Sequence, residues 1–369
     1  MRLVGIGTPR YSAKVHDIPL VSWLAAKQQM QFAAPNDALF CRAFMGADVV
    51  HVYMPFRFGR RALSVAKSMG LPVTAGFHLQ PENITYSSGP LRYVPGLPTA
   101  LYHLFDHWLY RDVGHIHAPS RMIATQLRVI SNGYSDRFHP NPDMPKGSDV
   151  SHESDESFPS APSNDSNLMH AKTPNLQTRR TFRLNRPFRI VASGRLSREK
   201  DYETLIRAVA QSRYVSRIDL TICGTGPLKR YLNRLSGRLL PDSSLVHIGF
   251  HSNDEMPNLL RQADLLVHPS IVDIESLSVL EAITSGLVPV LARSSLSAAD
   301  QFALVGQSLF PAHDATALAA RIDWWIEHPA ESRRWSSKYA EEARENYSIA
   351  ACVSRFVAME REAIRDAAG

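Results

Sequence analysis

The sequence predicts an α/β protein made of two doubly wound parallel-sheet domains. Three observations predict it. Short apolar runs alternate with segments of helical periodicity along most of the chain, the pattern of parallel strands joined by crossover helices. One stretch, Asp264 to Ala292, reads strand, loop, helix, strand without interruption. Residues 141–184, rich in Ser, Pro and Asp with few apolar side chains, separate two halves and are expected to be disordered.

Composition narrows the function classes. The 369 residues suffice for two domains, and an apolar fraction of 44% supports sizeable cores. No apolar run approaches the roughly 18–20 residues of a membrane-spanning helix. The opening Met1-Arg-Leu-Val-Gly-Ile-Gly-Thr-Pro9 breaks too soon for a signal peptide. Cys41, Cys223 and Cys352 have no metal-binding spacing and read as free thiols of a reducing compartment. A net charge of +6 suits an anionic substrate or an anionic membrane surface and does not point to nucleic acid. These features predict a cytoplasmic protein.

Taken in order, Gly5-Ile-Gly7 reads as a turn, because no helix follows it. Residues 20–32 read as helical or irregular. The first strand is expected only at Asp48–Met54, followed by a helix over 60–69 and a strand over 72–78. A loop over 79–86 then leads to helical residues near 97–112. A strand at 115–118, a short helix over 120–127 and residues 128–133 close this half. The second half is more regular. Strands are expected at 189–193, 218–224, 245–249, 264–268, 288–292 and 308–310, with helices at 201–211, 227–236, 255–262 and 276–285. Three helices near 314–327, 330–345 and 348–366 complete it.

The chemistry centres on the Asp264–Ala292 stretch. Leu265, Leu266 and Val267 suit a strand buried on both faces, and Pro269 stops it. Ser276 is the expected N-cap, Leu277, Leu280, Ala282 and Ile283 the apolar helix face, and Gly286 the C′ residue. Parallel sheets bind ligands at the carboxyl ends of their strands. Asp273 falls in the loop at that end, and Glu281 in the second helical turn. Between them the helix N-terminus at Ser276, Leu277 and Ser278 offers unpaired N–H groups suited to phosphate. Carboxylates repel phosphate, so Asp273 and Glu281 are expected to hold hydroxyls, as on a sugar and a ribose. Gly194-Arg-Leu-Ser-Arg-Glu-Lys200 follows the first strand of this half. Gly194 permits close backbone approach, and Arg195 and Lys200 suit a diphosphate. The plain alternatives are a βαβ unit with surface acids and a solvated basic turn.

The central stretch resembles the signature of the retaining GT-B glycosyltransferases of family 4. That signature has Glu, seven residues, a second Glu, a helix end with Gly, and a Pro-containing strand. Glu281, Ala282, Gly286 and Pro289 match. Asp273 keeps the first carboxylate with a reach one methylene shorter, and Glu275 is an alternative for it. Gly194-Arg195-Leu196 with Lys200 resembles the motif that holds the leaving nucleoside diphosphate. Gly76-Phe-His78 resembles a strand end whose histidine holds the donor sugar, although a cleft-lining or core histidine fits equally. Residues 75–86 and 301–304 look most like bacterial members that glycosylate diacylglycerol or cell-surface polymers.

The resemblance implies a GT-B fold of two Rossmann-like domains facing a cleft. The N-terminal acceptor-side domain, 1–140, lacks the family's first strand and glycine-rich loop. The linker or insertion is 141–184, the nucleotide-sugar domain 185–347, and a helix at 348–369 crosses back to the first domain. It implies transfer of a hexose, with retention, from a nucleotide-diphosphate sugar to a lipid or cell-surface glycan, with no cofactor and no metal. Asp273, His78, Arg195 and Lys200 would act in catalysis. Gly194, Ser276, Leu277, Ser278 and Glu281 would join Arg195 and Lys200 in binding the donor, and Glu82 and Asn83 would face the acceptor. The competing reading is a remnant that binds or hydrolyses a sugar nucleotide without a complete acceptor site. A Rossmann dehydrogenase is disfavoured, since no Gly-x-Gly-x-x-Gly opens a helix after a strand.

Smaller signals are read structurally. Gly224-Thr-Gly-Pro227 is a helix-start turn. His251-Ser-Asn253 is placed near the nucleobase, and Asn132-Gly133 near the cleft. Asp273-Ile-Glu275 is not taken as a metal motif, and His115-x-His117 lacks a third ligand nearby. Arg57, Arg60, Arg61 and Lys67 beside Phe56 and Phe58 suggest reversible contact with the inner face of a membrane, against a solvated basic face over core phenylalanines.

Overall fold

A computed structural model describes residues 1–8, 10–17, 22, 31–87, 93–120, 122, 128–129 and 186–369. The stretch 20–32, read as helical or irregular, the expected helix at 120–127, the linker at 141–184 and Asn132-Gly133 lie largely or wholly outside these residues. Two short strands, β1 (Val4–Gly5) and β2 (Tyr11–Ser12), pair in parallel as a small sheet of their own. The sequence reading missed this pair, because two-residue strands carry no periodicity. Gly7, at φ +72°, forms the turn after β1.

The first domain carries a parallel sheet in the order β3 (Val50–Val52), β4 (Val73–Gly76), β5 (His115–Ala118), β6 (Arg128–Val129). The helix Arg57–Ser68 crosses from β3 to β4 and buries Ala62, Leu63, Val65 and Ala66. Residues 81–87 are helical rather than the expected loop. Pro81 opens that helix, where its missing N–H costs nothing.

The side chains read as a candidate membrane patch have partners within the chain. Phe58 packs edge-on against Phe40 at 4.8 Å, and Phe56 against Phe32 at 5.1 Å. Arg61 pairs with Asp37, while Arg60 and Lys67 reach Asp112. The aromatics are therefore engaged in packing and three of the four cations are paired.

The second domain carries six parallel strands: β7 (Phe188–Ser193), β8 (Ile218–Cys223), β9 (Val246–Gly249), β10 (Leu265–His268), β11 (Pro289–Arg293) and β12 (Leu309–Pro311). Their spatial order is β9-β8-β7-β10-β11-β12, so successive strands step one way from β7 and then the other way from β10. Helices cover both faces, and Ile190, Ala192, Leu265, Leu266 and Val267 are completely buried. The helix Leu277–Thr284 ends as expected at Gly286, φ +82°. Gly286 N–H donates to Ile283 O at 3.1 Å and Leu287 N–H to Ala282 O at 3.0 Å, a Schellman closure.

Gly224-Thr-Gly-Pro227 has a structural role, but Pro227 does not open the helix, which runs Lys229–Leu239. The glycines are needed because their backbone packs on the preceding loop. A Cβ on Gly224 would lie 1.9 Å from Gly194 O, and one on Gly226 2.4 Å from Leu196 O.

The last helix, Ile349–Ala368, returns to the first domain and packs against β4 and β5. The buried Glu360 accepts a hydrogen bond from Thr74 Oγ1 at 2.7 Å and lies 3.2 Å from His51 Nδ1. No helix among the described residues is long and apolar enough to cross a membrane.

The glycine contacts predict that Gly224→Ala costs about 2–3 kcal/mol or more, because its obstacle is backbone rather than a yielding side chain. Gly237→Ala, with nothing within 4 Å of the new Cβ, should stabilise by about 0.5–1 kcal/mol. Urea denaturation of both variants checks the pair.

Candidate active site

Strand order reverses between β7 and β10, which opens a crevice at their carboxyl ends. Two loops leave the sheet there. The first begins at Gly194, φ +148°, where a Cβ would meet the Tyr202 hydroxyl at 2.9 Å. It runs through a short turn, Arg198–Lys200, to Asp201. The second runs from Pro269 to Ser276. Ile271 N–H donates to Glu199 O at 2.8 Å, and Ser270 Oγ to the same oxygen at 3.3 Å. These bonds fasten the loops together and bring Lys200 to Asp273.

Lys200 Nζ lies 2.6 Å from Asp273 Oδ2, with both side chains largely buried. His268 Nε2 approaches the same oxygen at 3.1 Å, and Asp273 Oδ1 accepts the Ser276 N–H at 3.1 Å. The main chain is held too: Asp273 N–H donates to Leu296 O, and Asp273 O accepts from Ala298 N–H. Burial alone would raise the pKa of this carboxyl. Lys200 and His268 more than reverse that and hold it well below the usual carboxylate range. Burial pushes the His268 imidazole down, against the pull of Asp273.

Ser276 is not a side-chain cap. It sits in the left-handed region, φ +67°, and its hydroxyl meets His268 Nε2 at 3.2 Å. A non-glycine residue held there costs of the order of 1–3 kcal/mol and is often tied to function. Leu277 and Ser278 open the helix as expected. Glu281 is half-buried in its second turn, and Arg195 is exposed on the Gly194 loop. Glu275, the alternative carboxylate, is buried.

His78, expected at the cleft as a donor-sugar ligand or as a cleft-lining or core histidine, is half-buried just after β4. Its ring stacks on Tyr53 at 4.0 Å and meets His117 edge-on at 5.0 Å. Its Nε2 is buried without a hydrogen-bond partner and crowds Gly76, where a Cβ would be 2.5 Å away. Burial, then the neighbouring His117 and His51, lower its pKa to about 3, so the ring is neutral. Burial, then the charge of Glu275, raise the Tyr53 phenol.

The acceptor-side residues Glu82 and Asn83 are half-buried on the helix Pro81–Ser87. Glu82 accepts a hydrogen bond from Tyr102 Oη at 3.1 Å. The preceding Gln80 is buried and bridges the domains, donating from Nε2 to Leu296 O at 2.9 Å. A cavity of about 620 Å³ is bordered by Tyr86, Tyr93, Arg198, Asp201, Tyr231 and Ile271. Neither Lys200 nor Asp273 lines it.

Sequence reasoning missed His268 and the role of Glu199. The available signal was a polar residue ending an otherwise apolar strand, Leu265-Leu-Val-His268.

Residues 177–343 match the family model described as "Glycosyl transferases group 1". The match spans a little under half of the chain. Lys200, Asp273 and Glu281 all lie within it. An uncharacterized glycosyltransferase of Methanocaldococcus jannaschii is 33% identical over 105 residues, 28% of this chain and 27% of the relative. The chain thus aligns with only about a quarter of that relative's length. The catalytic domain of the Helicobacter pylori cholesterol-α-glucosyltransferase is 40% identical over 43% of this chain and 98% of its own, with a TM-score of 0.41. HepE of Anabaena, solved with UDP and glucose, is 15% identical over 88% of this chain and 82% of its own, with a TM-score of 0.61. That likeness shows the GT-B fold across both domains.

The depressed His78 pKa has a consequence for stability. The unfolded ring binds its proton near pH 6.5 and the folded ring only near about 3. Stability from the neutral ring is therefore complete above pH 6.5 and is lost as pH falls toward 3. His268 acts in the same direction. Denaturation midpoints of His78→Gln should fall less steeply than wild type over this range; parallel curves would remove His78 as a contributor.

Proposed function

We propose that the protein transfers a hexose from a nucleotide-diphosphate sugar, with retention, to a lipid or cell-surface glycan acceptor. The observation that carries this reading is the convergence of a lysine, a carboxylate and a helix N-terminus at the switch point. Lys200 Nζ meets Asp273 Oδ2 at 2.6 Å while Asp273 Oδ1 holds the Ser276 N–H. The group 1 match over 177–343 and the UDP and glucose bound by HepE support it.

In this reading Lys200 and Arg195 stabilise charge on the leaving diphosphate, together with the N–H groups at Ser276, Leu277 and Ser278 and the close backbone approach at Gly194. Stabilising developing charge is commonly the largest catalytic contribution. Before donor binds, Lys200 and Asp273 neutralise each other; a diphosphate competes for the ammonium. Asp273 keeps His268 and the Ser276 N–H, so it stays ionised to hold a hydroxyl of the transferring sugar. Glu281 takes the ribose hydroxyls, and neutral His78 borders the sugar with Tyr53. Attack occurs on the face the diphosphate leaves. The bond from the anomeric carbon to the phosphate oxygen breaks, the acceptor oxygen bonds that carbon, and the acceptor proton passes to the departing phosphate oxygen. No metal and no enzyme nucleophile is needed. Glu82 and Asn83 border the acceptor, and the protein works in the cytoplasm, at the membrane face when the acceptor is a lipid.

A second reading is a domain that binds or hydrolyses the donor without a complete acceptor wall. The separate β1–β2 pair, which does not join the four-stranded sheet, favours it.

Calorimetry with UDP and an assay with UDP-glucose test these readings. Lys200→Ala should weaken UDP binding by about 1.5–3 kcal/mol through loss of a charge-assisted bond, and Glu281→Gln by about 1 kcal/mol. Unchanged UDP affinity in both variants would remove the proposed donor site. The anomer first released from UDP-glucose, followed by NMR, should be α; β would exclude retention. Hydrolysis that no lipid or glycan acceptor redirects would select the second reading.

A further inference from the structure

The start of β5 and the end of the last helix bring together three side chains that the transferase reading leaves unused. His115 Nε2 lies 3.1 Å from Asp366 Oδ2. Glu362 stands four residues before Asp366, on the same face of the helix Ile349–Ala368. One nitrogen or oxygen from each of His115, Glu362 and Asp366 lies within 4.8 Å of the other two. The sequence reading weighed His115 only together with His117 and found no third ligand nearby. His117 turns to the His78 and Phe356 rings, and the partners of His115 come from about 250 residues further along the chain. Such partners carry no signal in local spacing.

We infer that His115, Glu362 and Asp366 form a divalent transition-metal site that clamps the last helix to the first domain. The donor set is one imidazole nitrogen and two carboxylates, which suits zinc or manganese better than the all-oxygen preference of calcium and magnesium. Bonds of about 2 Å place tetrahedral ligand atoms about 3.3 Å apart. The His115–Asp366 separation already matches that spacing, and a Glu362 carboxylate oxygen lies within 4.8 Å of both. The frame is rigid. His115 pairs in register with Thr74 of β4, and Thr74 Oγ1 is bonded to Glu360, two residues before Glu362 on the same helix. His115 and Glu362 are half-buried and Asp366 is exposed, which leaves water access for a remaining coordination position. The role is structural. The last helix joins the two domains, and a metal across this seam fixes its end against the sheet that carries His78.

The test uses the full chain and zinc chloride, with manganese chloride as a second metal. His103 and His107, exposed and four residues apart on one helix, offer zinc a separate two-histidine site. The titration is therefore made in a His107→Ala background. After chelator treatment, calorimetry should show one zinc per chain, and zinc should raise the melting temperature. His115→Ala should lower zinc affinity by about ten-fold or more. The near-isosteric Glu362→Gln and Asp366→Asn should do the same, and they decide the matter if the alanine variant folds poorly by circular dichroism. UDP affinity should not change in any of them, so failure here is separate from failure of the donor site. No binding by the background chain at millimolar metal, or zinc binding unchanged in all three variants, overturns the site and leaves an ordinary ion pair between His115 and Asp366.

Discussion

The reversal of strand order between β7 and β10 is the constraint on which the candidate site depends. Neighbouring parallel strands normally send their following loops the same way. Where the order reverses, the two loops part and leave a crevice at the carboxyl edge. Here the parted loops are tied back together by Glu199 O, which accepts from Ile271 N–H and Ser270 Oγ. The crevice therefore stays open while its rims are fixed. Gly224 and Gly226 make this possible, because the first loop and the turn after β8 lie closer than any side chain would allow.

The electrostatics follow from that geometry. An unpaired carboxylate as buried as Asp273 would be driven toward its neutral form. Lys200, His268 and the Ser276 N–H keep it ionised, and the left-handed backbone at Ser276 is what aims that N–H. A charge already paid for by fixed partners is available to a ligand without reorganisation, which is the condition for electrostatic preorganisation. The histidine cluster of the first domain is of the opposite kind. His78 sits among His51, His117 and Tyr53 as a neutral ring.

Among the described residues, polar contacts tie the second domain and the last helix to the first domain. Gln80 reaches Leu296 O across the cleft, and Glu360 on the last helix meets Thr74 and His51 behind it. Buried polar groups cost free energy unless partnered, so these contacts are specific in direction as well as in place. They make the last helix part of the first domain's packing although it follows the second domain in sequence.

The sequence by itself determined the second domain almost completely. Its strands were legible as apolar runs because both faces are buried, and its helix ends at Gly286 could be read because only a residue tolerating positive φ closes a helix that way. It also determined that Lys200, Asp273 and Glu281 lie at carboxyl strand ends. The first domain was less legible: β1 and β2 are too short to show a period, and Pro81 can open a helix as easily as a loop. Only the tertiary structure decided which charges meet. It paired Lys200 with Asp273 across 73 positions in the chain, turned Ser276 from a cap into a hydroxyl on His268, and gave His115 two carboxylates from the last helix. Spacing along a chain governs contacts within a helix or strand. Contacts between loops and across a domain seam are set by how the sheets are covered, and no local pattern encodes them.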